Sequence, residues 1–329
     1  MQNHAIHRPR APLARVAAVL LLLAAVAGVP GLVAAQSSIR GWGRNYFDTA
    51  VSQVPAVRVG AGLMMTWVLR ADGRVFARGF DDIAYGGAPG SARVPPPPPG
   101  ASYVDVAMHV RCAGILSTGE LVQWGDAPQP LPVRPPGVDW LRVAVSGTHS
   151  LALRSDGGIS AWGINLRGEC DVPPLASGLS YVGIAAGAWF SLALVSDGSV
   201  RAFGDNTYGQ RNVPLLPAGV TYVAVAAGAR HALGLRSDGV IEHWGDTSFG
   251  QNAVPALPPG VTYTAISAEW HSLGLRSDGR IEVWGTYNPI YGQYTVPPLP
   301  PGTRYVQIGA GEIHSVALRS DGEVVTWGD

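Results

Sequence analysis

Four histidines stand in register along the chain: His149, His231, His271 and His314 each open a stretch of the form His-(Ser/Ala)-(Leu/Val). Imidazoles about 2.0–2.1 Å from one ion would make a metal centre. These histidines come one to a repeat unit, however, which separates them, and Met65 and Phe190 fill the same place in other units. The position therefore reads as one that requires bulk or a hydrogen bond, not as a ligand set. Glu269 and Glu312 sit just ahead of two of these histidines and are the nearest candidates for a catalytic carboxylate pair, neither with an evident partner. Asp72, Asp156, Asp197, Asp238, Asp278 and Asp321 each precede a glycine or stand in its turn, and read as turn formers. No His-Glu-x-x-His, Gly-x-Ser-x-Gly or EF-hand loop is present. All 23 basic residues are arginine, which excludes a Walker lysine and a Schiff-base lysine. No cofactor and no metal is expected, and no enzymatic activity.

The elements that hold these residues are repeats. The Asp-Gly turn recurs at Gly73, Gly157, Gly198, Gly239, Gly279 and Gly322, with Thr118-Gly119 as a degenerate copy. Successive copies lie 46, 38, 41, 41, 40 and 43 residues apart, and a Trp-Gly or variant closes each unit. Within the clearest unit, from Tyr222 to Thr262, the spacing predicts three strands: Tyr222–Ala226, His231–Arg236 and Val240–Trp244. Asp238-Gly239 reads as a two-residue type I′ hairpin. Val254-Pro255 and Pro258-Pro259-Gly260 read as an extended crossing to the next unit, and Pro95–Pro99 as a longer version of it. This use explains the 43 glycines and 27 prolines. Three short strands cannot bury an apolar face alone, so the sheets must stack, and radial stacking protects their edges. The expected fold is all-β: a seven-bladed β-propeller over residues 36–329, mainly of three-stranded blades.

Strand alternation puts the turn between the first and second strands on the same face as the loop after Trp-Gly, opposite the Asp-Gly hairpins. The turn tips vary, and Met64, Trp189, Arg230, Glu269, Trp270, Glu312 and Ile313 occupy them. The neighbouring loops add Tyr208, Phe249, Tyr287 and Tyr291, with Tyr46, Phe47 and Tyr85 nearby. Aromatics with an arginine and flanking acids match the make-up of protein-interface hot spots. Tyr208, Phe249 and Tyr291 precede a loop glycine and also suit a structural role.

Ahead of the repeats, Arg8, Arg10 and Arg15 precede an uninterrupted apolar run from Val16 to Ala27, and Val33-Ala34-Ala35 places small residues at a cleavage site. Residues 1–35 therefore read as a secretory signal, leaving a secreted or periplasmic protein with no membrane insertion after cleavage. The remaining 20 arginines and 23 acids give a charge of −3, which argues against a nucleic-acid partner. Export permits a disulfide, but Cys112 and Cys170 occupy different places in their units and the sequence does not show that they meet.

The pattern of a glycine turn, His-Ser-Leu-Ala-Leu, Asp-Gly and Trp-Gly-x-Asn-x-x-Gly, found over Gly147–Gly168 and again over Gly228–Gln251, resembles the regulator-of-chromosome-condensation repeats. The likeness extends over about residues 39–329. More narrowly, the chain is similar to the secreted propeller-type β-lactamase inhibitors, with their units of about 40 residues and Val-Pro crossings. This likeness implies seven blades and a ring closed by an N-terminal Trp-Gly strand. Ile39–Gly43 offers such a strand, yet Val324–Gly328 offers another, so eight candidates compete for seven places and both are expected in blade seven. The resemblance and the loop aromatics together point to a secreted, non-catalytic propeller that binds a protein partner, with inhibition of an extracellular or periplasmic enzyme as one version. A polysaccharide-active enzyme with carboxylates at the channel is a second reading, and a structural or adhesive module of the cell envelope a third. The nuclear exchange activity of the wider family conflicts with the signal and the missing basic surface. If the signal reading is right, intact-mass measurement of the exported protein will give a chain beginning at Gln36; retention of residues 1–35 would refute it.

Overall fold

The computed structural model describes residues 39–41 (as backbone), 54–79, 92–126, 129–285 and 291–328; residues 1–35, read above as a signal, and Tyr46, Phe47, Tyr85 and Tyr287 lie outside these. Seven antiparallel sheets follow one another along the chain, covering residues 56–79, 103–125, 140–163, 181–204, 222–245, 263–284 and 305–328. In each, three strands pair in sequence order. The first strands of successive blades pack on one another, and blade seven's packs on blade one's, so the ring closes with the first strands around its axis.

The strand pattern explains the stacking. His231–Arg236 is buried on both faces up to its last residue, because a neighbouring blade covers each side. Tyr222 opens the first strand of its blade, is 4% exposed, and packs with Trp244 of the third strand at 6.1 Å between ring centroids. Its hydroxyl donates to the Pro214 carbonyl at 3.0 Å, and Tyr263 and Tyr305 repeat that bond to Pro255 and Pro297 at 2.8 Å each. The proline crossings are thus tied to the blade that follows them. The Trp-Gly tryptophans couple blades as well: the indole N–H of Trp244, Trp284 and Trp327 donates to the backbone carbonyl of Gln210, Gln251 and Gln293, each in the loop of the preceding blade.

The histidine position forms an inter-blade belt. His149 Nε2 lies 2.6 Å from Ser191 Oγ, His231 Nε2 2.8 Å from Ser272 Oγ, and His271 Nε2 2.7 Å from Ser315 Oγ. His314 Nε2 donates to the Met65 carbonyl at 3.2 Å and carries the belt from blade seven to blade one. The Ser191 hydroxyl donates to the Glu169 carbonyl at 2.8 Å, so His149 is the donor in its pair, with Nε2 protonated. Phe190 takes the position in blade four, where the facing residue is Ala232, and the two lie in one apolar cluster. At these contacts a polar group faces a polar group and an apolar side chain an apolar one.

Two details differ from, or refine, what the spacing predicts. The hairpin at Asp238-Gly239 has three residues in its loop, not two. Arg236 N–H donates to the Val240 carbonyl at 2.8 Å and Gly239 N–H to the Arg236 carbonyl at 3.0 Å, leaving Ser237, Asp238 and Gly239 between the paired residues. Glycine supplies the left-handed residue (φ 79°) that a three-residue loop requires, and Asp238 Oδ1 accepts the Val240 N–H at 3.3 Å. Aspartate is therefore selected as an acceptor and does not itself need a positive φ. At the ring closure, Val324–Gly328 keeps the third place in blade seven, and Ile39–Gly41 lies outside it as a fourth strand, parallel, with Ile39 opposite Val324 and Gly41 opposite Thr326. Cys112 and Cys170 are not joined in a disulfide; their thiols donate to the carbonyls of His109 and Ile164 at 3.3 and 3.4 Å.

Burial holds His149, His231 and His314 down to about 4 and His271 to about 3. An unfolded histidine titrates near 6.5, so below that pH the unfolded chain binds more protons than the folded one. Stability is accordingly independent of these groups above about pH 6.5. As the pH falls from there through about 4, each histidine removes up to about 1.4 kcal/mol per pH unit. Urea unfolding at pH 7.5 and pH 5 measures this loss, and unchanged stability would contradict a neutral buried belt. At pH 7.5, Ser272→Ala, which strips His231 of its partner, costs about 1–3 kcal/mol.

Candidate functional site on the turn face

The turn between the first and second strands has two residues at its tip. In blade five, Gly228 N–H donates to the His231 carbonyl at 2.9 Å, which leaves Ala229-Arg230 as the tip, with Arg230 exposed; Gly187 and Phe190 do the same for Ala188-Trp189, with Trp189 exposed. The loop after Trp-Gly holds each tip from behind: Asp205 N–H donates to the Trp189 carbonyl at 2.8 Å and Asp246 N–H to the Arg230 carbonyl at 3.0 Å. That contact accounts for the glycine of Trp-Gly. Gly245 has φ 96°, and a Cβ there would stand 2.6 Å from the Arg230 carbonyl oxygen. The loops themselves are closed by buried side chains, with Gln210 Oε1 accepting the Tyr208 N–H at 2.8 Å and Gln251 Oε1 the Phe249 N–H at 2.9 Å. Tyr208 and Phe249 thus have a structural place in the backbone whatever their rings do.

On this frame, residues of three adjacent blades converge. The Arg230 guanidinium lies 4.8 Å from the Tyr208 ring and 5.7 Å from the Trp270 ring, a double cation–π contact joining blades four, five and six. Tyr208 is 41% exposed and Trp189, at the next tip, 38%, large values for aromatic side chains. Phe249, Glu269, Asp246 and Trp270 surround Arg230 in a shallow depression. Met64, Ile313 and Tyr291 are half-buried on the same face.

The first residue of each tip turns inward instead. His109 Nε2 of blade two lies 3.6 Å from Glu269 Oε1 of blade six. Blades two and six are almost opposite, so this pair spans the axis and forms the mouth of the channel. Glu312 belongs to the same group: its carboxyl is pushed up by burial and by the charge of Glu269, and His109 opposes the shift. Backbone bonds brace the mouth, from Glu312 N–H to the Leu63 carbonyl at 3.1 Å and from Ala229 N–H to the Glu269 carbonyl at 2.9 Å. Glu269 and Glu312 were expected near the channel but without partners. The missing partner is His109, which the histidine register does not pick out because it lies two residues ahead of that position, at the inward place of a turn with no glycine. Among the described residues, no group of three or more His, Cys, Asp or Glu is arranged to hold a metal ion.

The fold and these faces define the class, a seven-bladed propeller with turn-borne aromatics around a polar axial mouth. Residues 181–210, 222–251 and 305–329, in blades four, five and seven, match the model of the regulator of chromosome condensation (RCC1) repeat. Among solved structures, yeast RCC1 (Prp20), crystallised bound to Kap60, superposes with a TM-score of 0.63 at 20% identity over 80% of this chain and 79% of that one. The ectodomain of the receptor kinase CR4 from Physcomitrella patens gives 0.60 at 20% identity over 82% and 72%. That of ACR4 from Arabidopsis thaliana gives 0.57 at 19% identity over 82% and 95%. These likenesses establish the fold.

The axial mouth yields a direct test. Replacing Glu269 with Gln removes the charge that raises Glu312, so the Glu312 titration midpoint will move down in a carboxyl-carbon NMR titration. An unmoved midpoint would mean that the two carboxylates do not share the mouth.

Proposed function

We propose that this is an exported, non-catalytic propeller whose turn face binds another protein, an enzyme outside the cytoplasm, which it inhibits. The observation that carries this reading is the Arg230 guanidinium stacked between Tyr208 and Trp270, beside exposed Trp189. Tryptophan, tyrosine and arginine are the side chains that dominate binding energy at protein interfaces, and stacking pre-orders the arginine before a partner arrives. A neutral-to-acidic surface without lysine leaves apolar and aromatic contact as the main source of grip. The signal-like residues 1–35 support export, and the bound Kap60 on the yeast propeller shows that a propeller of this type can be crystallised with a protein partner.

A second reading draws on the mouth cluster. His109, Glu269 and a Glu312 with a raised titration point are suited to general acid–base chemistry on a saccharide entering the channel. The two are separated by one set of variants. Secreted proteins are passed over immobilised wild type, Trp189→Ala/Trp270→Ala and Glu312→Gln. Binding through the turn face predicts that the tryptophan variant loses its partner, with affinity down about 30-fold or more at roughly 2 kcal/mol per hot spot, and that Glu312→Gln retains it. Equal recovery by wild type and the tryptophan variant would overturn the binding assignment. Polysaccharide hydrolysis by wild type that Glu312→Gln abolishes would establish the enzyme instead. Trp189→Ala leaves stability within about 0.5 kcal/mol, as an exposed residue should.

A further inference from the structure

The third residue of each first strand makes a level of the axial channel that the repeat pattern does not determine. Gln307 of blade seven shows where this position points: its Oε1 accepts the Val59 N–H at 3.2 Å and its amide donates to the Val57 carbonyl at 2.7 Å. In blade two, Asp105 Oδ2 accepts the Val143 N–H at 2.8 Å in the same way. All three bonds reach the edge of the next blade's first strand that is turned away from its second strand. That edge lines the axis, so long side chains at this level reach the lumen, whereas Ala224 and Ala265 end against the apolar clusters between blades.

Around the lumen this level is lopsided. Blades one to three contribute Arg58, Asp105 and Arg142, whereas blades four to six contribute Gly183, Ala224 and Ala265. The wall facing the charges therefore carries nothing beyond Cβ, and the inner strand edges of the blades after it receive no side-chain cap from this level. Both arginines converge on one carboxylate oxygen: Arg58 Nη1 pairs with Asp105 Oδ1, and Arg142 Nη1 lies 3.9 Å from the same atom. Asp105 is 4% exposed, whereas the arginine side chains are 31% and 37% exposed, and the Arg58 guanidinium also lies 5.9 Å from the Trp67 ring. Among the described residues neither arginine meets a second carboxylate. Two guanidinium charges against one carboxylate leave a charge of +1 in a confined space, with most of their ten N–H donors unspent. A purely structural tie from Asp105 would need one arginine. The second adds like-charge repulsion: burial, and after it the charge of Arg142, lowers the Arg58 titration point to about 9.

We propose that the lumen at this level binds a small oxyanion, a carboxylate or phosphate group, on the paired guanidinium groups of Arg58 and Arg142, with the space beside Gly183, Ala224 and Ala265 accommodating the rest of the ligand. The planar fork of arginine suits either group. The site is separate from the turn-tip aromatics and from the His109–Glu269–Glu312 mouth, and it does not depend on the function proposed above.

The test uses the full exported chain, with inorganic phosphate and sodium acetate as probes, titrated calorimetrically and by thermal shift at constant ionic strength against sodium chloride. Saturable binding and a rise in Tm with either probe, beyond chloride, are expected. Preference for phosphate over acetate, or the reverse, identifies the source of the oxyanion. Arg142→Gln should weaken binding at least tenfold. Asp105→Asn should tighten it, because the internal competitor for the guanidinium groups loses its charge. If that variant fails to fold, Arg58→Gln serves in its place: it removes the other guanidinium group and should weaken binding at least tenfold while the circular dichroism spectrum stays that of wild type. Absence of saturable binding by wild type, or equal affinity of wild type and Arg142→Gln, would overturn the proposal.

Discussion

The bond from each histidine to the next blade's second strand is the constraint on which the ring depends. A three-stranded blade has two apolar faces and no means of covering either, so each needs a neighbour on both sides. Apolar packing supplies the cohesion but little register, since leucine slides on leucine at small cost. The His231–Ser272 type of bond fixes the angular and vertical position of one blade against the next. It is buried, so a misplacement leaves a polar group without a partner in a low-dielectric interior, which is costly. The Phe190–Ala232 exception obeys the same logic, because a polar group on only one side of that contact would be orphaned.

This belt also explains why the turn-tip residues can vary. The tips begin immediately before the belt residue and are held by the loop glycine and by backbone bonds that involve no tip side chain. Trp189, Arg230, Trp270 and Ile313 can therefore be exchanged without disturbing the blade, and whatever occupies those positions is presented at a fixed height around the face. The inward neighbours His109, Glu269 and Glu312 are exposed to a different demand, since nearly opposite blades meet there and their charges interact across the axis.

Much of this was legible in the sequence because it depends on contacts within one unit or between identical places in adjacent units. The period, the three strands and the two faces follow from spacing; the sharing of blade seven by Ile39–Gly41 and Val324–Gly328 was what the resemblance to the inhibitor propellers implied. The hairpin loop was misread because Asp-Gly suits a two-residue turn as well as a three-residue one, and only the Arg236–Val240 pairing distinguishes them. His109 escaped notice because its significance comes from Glu269, 160 positions away in sequence and almost opposite in the ring. The Arg58–Asp105–Arg142 group was hidden for the same reason: each member looks like a single deviation in its own repeat, and only ring closure aligns the three.

The parallel pairing of Ile39–Gly41 with Val324–Thr326 bears on how the protein responds to force. Because the strands run the same way, the N-terminal chain enters the short ladder at one end and the C-terminal chain leaves from the other. Tension between the two ends acts along the strands and loads their hydrogen bonds together. An antiparallel closure would place both ends at the same side and let the bonds open one after another. The seam of the ring is therefore built as a shear joint, and its mechanical strength exceeds what three residues of pairing would provide if peeled.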